Sequence, residues 1–141
     1  MRHVSFYVSG HGLGHATRVL AVVRRLLEEP GWTAEIRTSA PRWCFERVIG
    51  SRCRFEMIDL EPGVVQSDSF HHDLDATCDS WRAHLRALPS RAKAEAHALR
   101  RGDAEIVLSD VSPLGCAAAA AASLPWLDNH MSPWKRAEPF R

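Results

Sequence analysis

An α/β fold, a doubly wound parallel sheet with helices on both faces, is what this 141-residue sequence predicts, and three observations predict it. Apolar, β-branched stretches alternate along the chain with segments of helical period. Glycine and proline stand between them as punctuation. Right-handed crossovers turn such alternation into a parallel sheet covered on both sides. With 45% hydrophobic and 25% charged residues, the composition is that of one globular domain. A formal net charge of +1 leaves no electrostatic footprint for nucleic acid or a membrane surface, so neither is an expected partner. Cys44, Cys53, Cys78 and Cys116 lie 9, 25 and 38 positions apart, without a CxxC pair, and read as reduced thiols. Met1 runs straight into "RHVSFYV" with no signal-peptide pattern, and no apolar stretch approaches the length of a transmembrane segment. The expected location is the cytoplasm.

The elements follow in order. "VSFYV", Val4 to Val8, is β-branched and aromatic and stops at Ser9-Gly10, as a short buried strand does. From His15 the period changes to that of a helix, with Val19, Val22, Val23, Leu26 and Leu27 on one face, until Pro30-Gly31 ends it. "TAEIRTS" (Thr33 to Ser39) is a second strand, "RWCFERVIG" a short helix closed at Gly50, and "CRFEMIDL" (Cys53 to Leu60) a third strand. Glu61 to Asp75 has no apolar period and forms a loop, long enough to suggest a functional role. Thr77 to Arg101 is a long helix with Trp81, Leu85, Leu88, Ala92 and Leu99 inward and Pro89 as a site for a kink. "AEIVLSD" (Ala104 to Asp110) is a fourth strand, Pro113 opens an alanine-rich helix, and "LPWLDN" offers a fifth strand. Ligands of such folds bind outside the carboxyl ends of the strands. That rule gathers Ser9 to His15, the Ser39 region, the loop from Glu61 to Asp75, and Asp110 to Ser112 on one rim.

"SGHGLGHATR", Ser9 to Arg18, packs three glycines and two histidines into ten positions of that rim. His11 and His15 have the i, i+4 spacing of metal ligands on a helix, but Gly12 and Gly14 disfavour a helix there and no third ligand is near, so no metal is expected. A dinucleotide fingerprint would need glycine where His15 stands, and a P-loop would need a following Gly-Lys-Ser/Thr. A glycine turn opening a helix remains. Its first N–H groups and the helix dipole favour an anion or a sugar oxygen, and a histidine at its mouth suits general-base chemistry. Spacing alone leaves two readings open here, a ligand site or a tight βα turn with His15 capping the helix. His71 and His72 read as solvated loop residues, and the tryptophans as core or surface anchors.

"YVSGHGLGHATR" resembles the opening of GT-B glycosyltransferases of the MurG type, a strand followed by a Gly-Gly-x-Gly-Gly-His turn. More specifically it resembles the glycosyltransferase-like N-terminal domain of arabinokinase-type proteins, where GHGxGHATR follows the first strand. "GVVQSDS" (Gly63 to Ser69) and "SDVSPLGCAAA" (Ser109 to Ala119) match the same subgroup. The resemblance implies a Rossmann-like, acceptor-side N-terminal half of a GT-B fold over residues 1–126. Its co-substrate would be a UDP-sugar or other nucleotide sugar, with no resident cofactor, and its acceptor a small-molecule sugar or a lipid or glycan. Carried over, Gly10, His11, Gly12 and Gly14 face acceptor and donor phosphates, His15 contacts or deprotonates the acceptor hydroxyl, and Arg18 steadies an anionic group. Gln66, Ser67 and Asp68 line the acceptor pocket, with Ser109 beside the strand end. Asp110 binds a sugar hydroxyl or partners His15, although Asp110 or Ser112 before Pro113 also reads as a helix N-cap. Residues 127–141 are short and polar where the relatives carry an apolar strand, so an atypical, truncated tail is expected, with a separate chain supplying the donor-binding half. The alternatives are a non-catalytic sugar- or nucleotide-binding module and a fragment without activity.

Overall fold

In the computed structural model, which describes residues 1–129, strand β1 (Arg2–Val8) is buried from His3 onward and takes the centre of the sheet. It is flanked by β2 (Trp32–Thr38) and β4 (Ile106–Asp110), and outside these lie β3 (Cys53–Met57) and β5 (Trp126–Asp128). The order is β3-β2-β1-β4-β5 with every pairing parallel. This is the doubly wound α/β topology that the alternation predicts. Its reversal of strand order, between β1 and β4, lies beside the glycine turn.

Alternate residues of β1 feed two cores. Val4, Phe6 and Val8 pack with Ile36, Phe45 and the Ala16, Val19 and Val23 face of α1 (Leu13–Glu28). On the other side Tyr7 and Val107 pack against Ala92, Ala96 and Leu99 of α2 (Leu74–Arg101) and Leu114 and Ala118 of α3 (Pro113–Ala122). Burial on both faces explains why β1 reads as a continuous apolar run. α3 lies close to the sheet because Gly115 lacks a side chain: a Cβ there would stand 2.6 Å from Tyr7 Cβ and 2.8 Å from its Cγ. Gly115→Ala is expected to destabilise the domain by about 1–3 kcal/mol, measured as a lower urea midpoint at unchanged slope.

Several boundaries differ from expectation. α1 begins at Leu13, which puts His15 in its first turn, and Val22 is exposed. Only Arg42–Phe45 forms a 3-10 turn where a helix to Gly50 was expected, and β3 stops at Met57. α2 starts at Leu74 because Asp73 caps it, its carboxylate accepting from Ala76 N at 2.8 Å. Pro89 lies within α2, which is assigned as one continuous helix. Proline's missing N–H orphans the carbonyl four residues back, at Leu85, and both residues are exposed to water. Leu85 is therefore not a core residue as expected, and His84 is buried in its place. The fifth strand forms across the expected boundary at residue 126; residues 130–141, most of the expected tail, lie outside the described residues.

A buried ionic cluster ties α2 to the sheet. Arg37 of β2 donates to Glu95 of α2 at 2.9 Å, to Glu56 of β3 at 2.7 Å and to Glu35 at 3.2 Å. Tyr7 donates to the same Glu95 at 2.7 Å, and burial first, then the Glu95 charge, pushes its phenol above the ordinary range. All four cysteines are free thiols, and burial pushes that of Cys53 up to about 11. No described helix is long and apolar enough to cross a membrane.

Candidate functional site

At the carboxyl ends of β1 and β4, the glycine turn, the segment after β3 and the β4–α3 turn enclose a cavity of about 750 Å³. Each wall has a local cause. Gly10 packs against the turn after β2, where a Cβ would fall 2.0 Å from Ser39 Oγ, so no side chain fits. Gly12 has φ 92 and ψ 147, a conformation reserved for glycine, and it stands at the N-cap of α1 without any side-chain cap. The first N–H groups of α1 thus lack a side-chain partner where Gly12 and His15 line the cavity. Gly14 meets nothing within 4 Å, and nothing in the structure requires glycine there.

His15, from the first turn of α1, reaches across to the end of β4. Its Nδ1 lies 3.2 Å from Asp110 Oδ2, and Arg18, one turn further along α1, donates to Asp110 Oδ1 at 2.7 Å. Asn129 Nδ2 adds a contact to Oδ1 at 3.4 Å. Asp110 is wholly buried, so its carboxylate is spent on these groups and is out of reach of a ligand. Arg18 Nη2 also stands 3.2 Å from His15 Nδ1, but its shorter bond, 2.7 Å, goes to Asp110 Oδ1; the carboxylate, which can only accept, favours the proton of a neutral His15 on Nδ1 and leaves Nε2 to accept. The next residue, Val111, holds φ 60, a left-handed conformation that is strained for a β-branched side chain and recurs at functional sites.

The N-cap of α3 is Ser112, whose hydroxyl accepts from Gly115 N at 3.2 Å, with Pro113 in the first turn. Of the two readings at this turn, capping belongs to Ser112, and Asp110 is left for His15. Ser109 is buried, donating to Ser112 O at 3.0 Å and accepting from Ser112 N at 3.1 Å, so it braces the turn from behind the cavity.

His11 donates from Nε2 to the Glu61 carbonyl at 2.9 Å, and its ring fills the space where a Gly63 Cβ would be, 2.6 Å from Cε1. It pins the loop to the glycine turn. Gln66 lines the cavity and bridges to His72. Ser67 and Asp68 sit instead on the exposed tip of the loop and are not on the cavity wall. There Asp68 Oδ1 accepts from Phe70 N at 2.8 Å and His71 N at 3.0 Å. These bonds, Phe70 N–H first and then the His71 ring, hold its carboxyl below the usual range.

Several wall residues escaped the sequence reading, among them Glu61, Trp81, Cys116 and Asp128. Glu61 comes after Ile58, Asp59 and Leu60, which lead out of β3, and it opens the loop that the rim rule gathers; burial pushes its carboxyl above the usual range. Trp81, expected to be a core or surface anchor, lines the cavity from the N-terminal part of α2. Among the described residues, no three histidine, cysteine or acidic side chains gather as a metal site.

No protein-family model matches the chain. It is 37% identical over 124 residues to L-arabinokinase of Arabidopsis thaliana, a match that covers 85% of this chain and 12% of that protein. Among solved structures it superposes on a UGT transferase of Siraitia grosvenorii in complex with UDP (TM-score 0.57, 15% identity) and on the calicheamicin glycosyltransferase CalG4 (TM-score 0.59, 20% identity). Each alignment covers 91% of this chain, and 27% and 32% of the respective structures. The C-terminal domain of a Pyrococcus furiosus hydrogenase, PF1911, shares the fold at TM-score 0.52 and 10% identity, so the fold by itself does not select an activity. In fold the chain is a Rossmann-like α/β domain, similar to part of each of the two glycosyltransferases it superposes on. In sequence it is similar to one stretch of L-arabinokinase and spans about an eighth of that protein's length.

Proposed function

We propose that this chain is the acceptor-binding domain of a nucleotide-sugar-dependent glycosyltransferase, and that transfer requires a donor-binding half beside it. The observation that carries this reading is the His15–Asp110 pair standing over the cavity with Nε2 unpaired. In the proposed step His15 Nε2 takes the proton of the acceptor hydroxyl while that oxygen bonds to the anomeric carbon of the donor sugar. The anomeric carbon–phosphate oxygen bond breaks, and the nucleoside diphosphate leaves with the electron pair. Asp110 stabilises the imidazolium through Nδ1–H, and Arg18 holds the other carboxylate oxygen. The uncapped N-terminus of α1 faces the position suited to the leaving diphosphate. UDP in the Siraitia grosvenorii structure supports UDP or a UDP-sugar as the first donor to try. The acceptor class is a small-molecule sugar, a lipid or a glycan. Four unpaired thiols fit a reducing compartment, and we place the protein in the cytoplasm.

The test is a thermal melt and calorimetric titration of the full chain with UDP, UDP-sugars and simple sugar acceptors. Cooperative melting with saturable binding that His15→Ala removes supports the proposal. A cooperative melt with no binding of any of them overturns it, and no cooperative melt returns the chain to the fragment reading. Binding without transfer once a donor-binding half is added favours a sugar- or nucleotide-binding module.

A further inference from the structure

One residue of the β4–α3 turn is strained. Val111 holds φ 60, a left-handed angle that two other non-glycines share among the described residues, Asp103 and Ser123. Both of those stand at helix ends: Ser123 is the C-cap of α3, and Asp103 follows Gly102, the C-cap of α2. A left-handed residue there closes the last turn of the helix. Val111 closes no helix, and a β-branched side chain is a costly occupant of this region, because the Cβ crowds the following carbonyl oxygen.

Its neighbours hold it there. Asp110 is fixed by pairing with Val8 of β1, by Ser9 N donating to its carbonyl at 3.1 Å, and by His15 and Arg18 on its carboxylate. Ser112 is fixed by its two bonds to Ser109 and by its cap on Gly115 N. The single residue between two fixed ends takes the angle that joins them. Glycine would hold that angle without strain, and asparagine with little. Valine must therefore contribute something that glycine would not, and core packing is not it: Val111 belongs to neither buried cluster and is 38% exposed. It lines the main cavity together with His15, one residue from the carboxylate that bonds the imidazole.

We propose that Val111 is a specificity-determining residue of the acceptor site, its isopropyl group held by the strained backbone against an apolar part of the acceptor beside the hydroxyl that His15 deprotonates. This rests on the acceptor-domain reading and deepens it. The acceptor carries a hydrocarbon surface next to its reacting hydroxyl, as a glycoside with an apolar aglycone or a lipid alcohol does. A second hydroxyl set against the valine would lose its water and gain no partner, so a bare polyol is disfavoured.

The first readout is stability, and it needs no ligand. Val111→Gly is expected to raise the urea midpoint at unchanged slope, with the folding equilibrium constant up about threefold or more, because relief of strain exceeds the entropy that glycine adds to the unfolded chain. The second readout is calorimetric titration of the full chain with methyl β-D-galactopyranoside, phenyl β-D-galactopyranoside and farnesol. Tighter binding of the phenyl than of the methyl galactoside places the hydrocarbon on a glycoside, and tighter binding of farnesol places it on a lipid alcohol. The preferred ligand is expected to bind about fivefold or more weakly to Val111→Gly, which removes the apolar contact. Val111→Thr keeps the branching and the strain but puts a hydroxyl where a methyl stood, and the same ligand should weaken there at a nearly unchanged midpoint. A residue that only builds the fold loses stability when truncated, whereas Val111→Gly should gain stability and lose ligand. A midpoint that falls in Val111→Gly overturns the proposal and leaves the acceptor-domain reading standing. So does equal binding of the preferred ligand by the wild type and both variants, or tightest binding of the methyl galactoside. Binding of none of the probes by the folded chain sinks both.

Discussion

Replacing His15 with alanine, in the chain assayed together with a donor-binding half, lowers the turnover of sugar transfer about 10²–10⁴-fold, the usual contribution of a positioned general base. Stability should change by no more than about 0.5 kcal/mol, because the ring is partly exposed and Asp110 keeps its ion pair with Arg18 at 2.7 Å. The acceptor's KM should move little, since the lost interaction belongs to the transition state in which the hydroxyl proton moves. Added imidazole should restore part of the rate if the cavity left by the side chain admits it. Wild-type turnover by the variant removes His15 as the base. A raised KM at unchanged kcat reassigns it to acceptor binding.

The alternation of "VSFYV", "TAEIRTS" and "AEIVLSD" with helical segments was enough to read the sheet, because strands buried on both faces write themselves as apolar runs. Chain order also carried the rim, since the ends of parallel strands all point one way. Side-chain partnership was less legible. Nothing local to Asp110 says that it bonds His15, 95 positions away, in preference to capping α3; Ser112 takes the cap because its hydroxyl stands three residues before Gly115 N. Ser67 and Asp68 were expected to line the pocket because they fall inside a family motif, yet Asp68 folds back on Phe70 N and His71 N and shapes the tip of the loop. Helical spacing puts Trp81 on the inner stripe of α2 without revealing that it lines the cavity. Glu61 lies in the loop that chain order puts on the rim, but its burial, which sets it apart from the loop's other polar residues, exists only in three dimensions.

Asp110→Asn has an effect of comparable size for a different reason. With Arg18 donating at Oδ1, an asparagine keeps its carbonyl oxygen toward Arg18 and turns its amide N–H toward His15 Nδ1. Nδ1 must then accept, the proton of the neutral ring moves to Nε2, and the atom facing the acceptor hydroxyl can no longer take a proton. The equivalent Asp-to-Asn change in a Ser-His-Asp triad costs on the order of 10⁴ in kcat through this same inversion of tautomer. A similar loss is expected here, with KM nearly unchanged because Asp110 is wholly buried and cannot touch the acceptor. Stability should fall by about 1–3 kcal/mol as the charge-assisted bonds weaken. A bracing role alone would also destabilise the fold, so the deciding readout is nitrogen-15 NMR of the histidine ring. Nδ1–H in the wild type and Nε2–H in the variant assign Asp110 to orienting the base. The same tautomer in both, or a KM that rises with the substitution, returns it to direct sugar binding. The double variant His15→Ala/Asp110→Asn should be no slower than His15→Ala alone, because a carboxylate that acts only through the imidazole has nothing left to act on once the ring is gone.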